Sequence, residues 1–138
     1  MKAYLLVALL GMVAFEASAE AQCANYQKEG SYFSGRRFTN WEVLPVSVSD
    51  AMKRIKIEAV GAGLTLKTED KEAGLLVFEQ HASGTKGQVT LPTNVVVTPE
   101  GNNAVKVAVT RTTPSGYMTS DAYQRQFLCA VIDAARGT

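Results

Sequence analysis

A chain of 138 residues with a formal net charge of +1 is sized for one domain and carries no large field of one sign. Phosphate neutralisation is the main sequence-independent source of nucleic-acid affinity, so the short basic runs Arg36-Arg37 and Lys53-Arg54 read as solvated surface, with no nucleic acid expected as a partner. A hydrophobic content of 46% excludes extended disorder and predicts a packed core.

The chain opens with a positive start at Met1 and Lys2, an apolar run from Ala3 to Phe15, and small residues at Ala17, Ser18 and Ala19. That order predicts a cleaved secretory signal over residues 1–19, with cleavage after Ala21 as the other option. The apolar run of about 13 residues falls short of the roughly 20 that a spanning helix needs, so the mature chain is expected to carry no transmembrane span. The expected location is therefore periplasmic or secreted. A lipid anchor on Cys23 stays open as an alternative, although Glu20-Ala21-Gln22 is a poor lipobox because a charged residue stands among the small ones.

Residues 20–40 contain Tyr26, Tyr32, Phe33 and Phe38 without a period of two or of 3.6. They read as an irregular aromatic-rich arm, followed by a single α+β domain over residues 41–138. Trp41 to Val46 alternates like a first strand, which Pro45 confines to an edge or a last pairing position. Ser47 and Asp50 have the spacing of a capping box, and Val48, Ala51, Met52, Ile55, Ala59 and Ala62 then share one side of a helix that Gly61 and Gly63 end. Leu64 to Glu69 and Leu75 to His81 read as a β-hairpin around a polar turn. A turn-rich stretch, Ala82 to Gln88, leads to a strand over Val89 to Thr98, interrupted by Pro92, and then to a tight turn at Pro99 to Asn103. Val105, Val107 and Val109 alternate with Lys106, Ala108 and Thr110, the strongest half-buried strand pattern in the chain. A final helix starts at Thr119 or Ser120, presents Tyr123, Phe127, Ala130, Val131 and Ala134 to the sheet, and stops at Gly137. The expected fold class is α+β, an antiparallel sheet of about four or five strands with two helices on one face, in the order β-α-β-β-β-β-α.

The stretch from Val46 to Gln80, running from Ser47 through Gly63-Leu64-Thr65-Leu66 to Asp70 and Gly74-Leu75-Leu76-Val77, resembles the helix-then-hairpin unit of envelope lipoprotein domains. The C component of the outer-membrane β-barrel assembly machinery carries such units. The resemblance implies the helix-on-sheet fold; an envelope protein is the expected partner of an exported domain.

Two cysteines in an exported chain predict oxidation, and the one possible intramolecular pairing is Cys23 to Cys129. Cys129 projects away from the expected apolar face of the last helix, which is explained if the N-terminal arm crosses that outer side and is stapled there. Intermolecular pairing and free thiols are the alternatives. His81 is the lone histidine, too few for a multi-histidine metal site, and so no metal is expected. A Cys129-His81-Asp133 nucleophilic set is formally available but competes with the disulfide. Glu69, Asp70 and Glu72 alternate with lysines in a turn and read as solvated surface. Gly61-x-Gly63 follows a helix and lacks the later glycine of a dinucleotide fingerprint, so no cofactor is expected. Ile57 and Val60 fall outside the core stripe of the first helix and mark a possible partner surface unless the arm covers them. With no catalytic set assembled, the expected function is an exported, non-catalytic interaction domain. The alternatives are a carrier with an apolar cavity between helices and sheet, and a hydrolase using His81.

Overall fold

The computed structural model describes residues 23–84 and 87–137, so the leader expected over residues 1–19 lies outside the described residues. In chain order the elements are β1 (Gln27–Ser31), β2 (Gly35–Leu44), α1 (Val48–Gly61), β3 (Thr65–Asp70), β4 (Leu75–Gly84), β5 (Gly87–Glu100), β6 (Ala104–Thr113) and α2 (Asp121–Arg136). The strands form one antiparallel sheet in the order β1-β2-β6-β5-β4-β3. The α+β class and the two helices are as expected, but the sheet has six strands rather than four or five.

The additional strand comes from the segment read as an irregular arm. Gln27–Ser31 pairs with Gly35–Thr39 as a hairpin, and β2 begins six residues before the expected Trp41. No period of two shows in β1 because an edge strand exposed along its whole length has no face to alternate. On β2 the inward positions alternate Phe38, Asn40, Glu42 and Leu44, so polar side chains in the buried register hide the strand. Pro92 does not interrupt β5. β6 pairs with β5 only from Thr93 onward, so at Pro92 the strand has a single ladder neighbour, where a missing N–H is tolerated. The stretch expected as a turn, Ala82 to Gln88, is largely strand, with pairing that reaches Gly84 and Gly87.

α1 forms where its cap predicts: Ser47 Oγ accepts the Asp50 amide at 3.1 Å, and Gly63 takes a left-handed φ of +91° just beyond the end. Ser120 caps α2 by accepting the Tyr123 amide at 3.1 Å, and Gly137 ends it at φ +88°. Gly74 is required for a different reason. It has φ +70° and its carbonyl accepts the Val97 amide at 2.8 Å, so any Cβ there would collide with the Val97 carbonyl.

Alternate side chains on one face of the sheet, including Phe38, Leu44, Leu76, Phe78, Val95, Val97, Val105, Val107 and Val109, make one core with the buried sides of both helices. α1 contributes Ala51, Met52, Ile55 and Ala59, as its stripe predicts, although Ala62 lies beyond the helix and is exposed. On α2 the buried set is Gln124, Leu128, Val131, Ile132 and Ala135. This is the expected face moved one position along throughout, a rotation of about 100°, with Val131 the one residue common to both sets. The aromatics misled the sequence reading. Tyr123 keeps its phenol outward at 51% exposure, while Gln124 is turned inward and fully buried.

Candidate functional site

Cys23 and Cys129 form a disulfide with their Cα atoms 5.9 Å apart. The start of the described chain therefore lies across α2. Arg125 donates to the Cys23 carbonyl at 3.3 Å and stacks over the Tyr26 ring at 5.3 Å, while Tyr26 packs on Phe38. Burial raises the Tyr26 phenol above its ordinary value, reinforced by Asp121 and opposed by Arg125 and Arg36.

The formal nucleophilic set does not assemble around a thiol, because the Cys129 sulfur is bonded to Cys23. His81 is exposed on β4, with Nδ1 3.4 Å from the hydroxyl of its cross-strand neighbour Thr90. Glu69, Asp70 and Glu72 are exposed around the β3–β4 turn, where Asp70 Oδ1 accepts the Ala73 amide at 2.9 Å. Lys56 binds Glu69 at 2.7 Å, and this hydrogen bond holds the Glu69 carboxyl below its ordinary range.

Ile57 and Val60 are exposed at 66% and 54%, since the N-terminal segment from Cys23 to Tyr26 packs on α2 and leaves α1 uncovered by it. At 100° per residue, Ser49, Lys53, Lys56, Ile57 and Val60 fall on one outer strip of α1. The strip borders a groove between α1 and the end of β3, with Val48 and Met52 among its walls and Lys53, Lys56 and Lys71 supplying cations against one carboxylate, Glu69.

A second constellation lies inside, beneath α2. Arg111 is 0% exposed on β6, at the inward register that Val105, Val107 and Val109 set. Its Nη2 donates to Gln80 Oε1, and its Cζ sits 4.1 Å from the Phe127 ring centroid. Among the described residues, Nε and Nη1 have no hydrogen-bond partner and no carboxylate pairs with the group. Burial pushes the guanidinium below its ordinary value, with the Tyr123 and Tyr117 phenols acting in the other direction. Thr93 Oγ1, Thr113 Oγ1 and Gln124 Oε1 are also buried and unpartnered among the described residues; Thr93 is the direct cross-strand neighbour of Arg111, and Thr113 lies two residues on. Gln124 Nε2 donates to Thr119 Oγ1 at 3.0 Å. The sequence reading missed Arg111, although the alternation from Val105 carries straight to positions 111 and 113.

No protein-family model and no curated protein matches the chain. The fold is similar to the solved structure of a conserved protein of unknown function from Enterococcus faecalis, at a TM-score of 0.55 and 6% identity, over 85% of this chain and 78% of that one. At that identity the likeness is one of fold alone.

Proposed function

We propose that this chain is an exported, non-catalytic interaction domain that binds an acidic, apolar segment of an envelope protein along the outer strip of α1. The single observation that carries the reading is the exposure of Ile57 and Val60 beside the lysine-rimmed groove. Two large aliphatic side chains held in water on a well-packed helix gain from burial against a partner, and the excess of Lys53, Lys56 and Lys71 over Glu69 favours a negatively charged one. Export is supported by the apolar opening run with its small residues and by the disulfide, a bond that persists in oxidising compartments. Among the described residues no helix is long and apolar enough to cross a membrane.

The test is recovery of a partner from the native envelope fraction with wild-type protein, with the paired substitution Ile57→Asp and Val60→Asp, and with His81→Ala. One protein recovered by the wild type and by His81→Ala, but reduced at least about tenfold by the paired substitution, supports the reading. Equal recovery by all three overturns it.

A further inference from the structure

We infer that the Arg111 cluster is a binding site for a small organic monocarboxylate, independent of the α1 surface. A guanidinium has five N–H donors in a rigid plane and two edges that can each present a pair of parallel hydrogens, Nη1 with Nη2 and Nε with Nη2. Gln80 takes one hydrogen of Nη2. Whichever hydrogen that is, one complete edge has no partner among the described residues, because Nε and Nη1 are both unpartnered there. A carboxylate is the acceptor whose two oxygens match such an edge.

Charge and position narrow the ligand further. Among the described residues no acid forms an ion pair with Arg111, so one negative charge is needed to neutralise the site. A monocarboxylate meets that need one for one, whereas a phosphate dianion would bring a second charge to be desolvated against neutral threonines. The buried hydroxyls of Thr93 and Thr113 are further donors next to the guanidinium along the sheet. Phe127 and the half-buried Gln80 both contact the buried guanidinium. Arg111 itself has no accessible surface, so the ligand enters by displacing the half-buried Gln80 side chain, whose amide oxygen stands where a carboxylate oxygen would bind.

The experiment is thermal denaturation of the full chain with acetate, propionate, butyrate or benzoate, each against sodium chloride and sodium phosphate at matched ionic strength. The wild type is expected to show a saturable rise in Tm with at least one carboxylate, on the order of 10 °C at a hundredfold excess over Kd, and no such rise with chloride or phosphate. Arg111→Met removes the rise. Gln80→Glu supplies a tethered carboxylate to the same fork, so it raises Tm without ligand and abolishes the response to added carboxylate. A wild type that responds to none of the four acids overturns the proposal, as does a response that survives in both variants; a response to phosphate equal to that to the carboxylates overturns the assignment of ligand class. Loss of partner recovery by the Ile57 and Val60 substitutions bears on the α1 reading alone.

Discussion

The two helices cover the same face of one sheet by opposite means. Beneath α1 the contacts are apolar, with Ala51, Met52, Ile55 and Ala59 meeting the sheet in a layer of aliphatic side chains. Beneath α2 that apolar layer gives way at one end to Arg111, Gln124, Thr93 and Thr113, all essentially buried and with several polar atoms unpartnered. An unmatched buried polar atom costs about 1–3 kcal/mol and a charge costs more, so packing alone would favour replacing this belt with aliphatics. The α2 side has what the α1 side lacks, a covalent clamp through Cys23 and Cys129, while a surface ion pair ties each helix to the sheet, Arg136 to Glu42 at 2.9 Å and Lys56 to Glu69 at 2.7 Å. The comparison teaches that α1 is held by an apolar layer, whereas α2 adds an outer covalent clamp to Leu128, Val131, Ile132 and Ala135 of the same core, over a layer whose polar end offers it less.

Breaking the clamp has the largest expected effect. The disulfide joins residues 106 apart, and in the chain-entropy model a loop of about 100 residues corresponds to up to about 4–5 kcal/mol. Denaturant unfolding of the Cys23→Ser, Cys129→Ser pair is expected to show a loss approaching that figure, with amide exchange rising first in α2. Equal exchange in both helices would contradict the asymmetry. Next comes Ile55→Ala, which opens a cavity in the aliphatic layer and is expected to cost about 2–5 kcal/mol by the same unfolding measurement. A loss below about 1 kcal/mol would show that α1 is not held by its core.

The smallest effect is one of pH. The folded-state pKa of Tyr26 is raised above the ordinary 10.0, chiefly by burial, so its contribution is complete below that value and is lost as pH rises through the folded one. The denaturation midpoint should therefore fall above about pH 10, and less steeply in Tyr26→Phe. Identical slopes in the two proteins would remove Tyr26 from the account.

Much of the α1 side was legible in the sequence because its signals are local. Ser47 with Asp50, the stripe through Ile55, and Gly63 each act within a turn or two, and the aliphatic alternation of β6 needs no partner to be read. The α2 side was less legible because its burial is set by long-range register. Asn40 and Arg111 are polar residues at inward positions, so counting apolar residues skips them, and Gln124 faces the sheet while neighbouring Tyr123 does not. β1 was invisible because pairing with β2, rather than any pattern of its own, makes it a strand. The cysteine pair was readable as the one intramolecular option, beside free or intermolecular thiols, while the exposure of Ile57 and Val60 depended on where the N-terminal segment lay, which only the fold decides.

The most direct test of the asymmetry is the urea denaturation midpoint of Arg111→Met at low salt without added carboxylate. Removing an uncompensated buried charge and keeping an aliphatic stem of similar length should leave stability unchanged or raise it by about 1–3 kcal/mol. A loss of more than about 1 kcal/mol would mean that the guanidinium holds α2 in place, and would contradict the account.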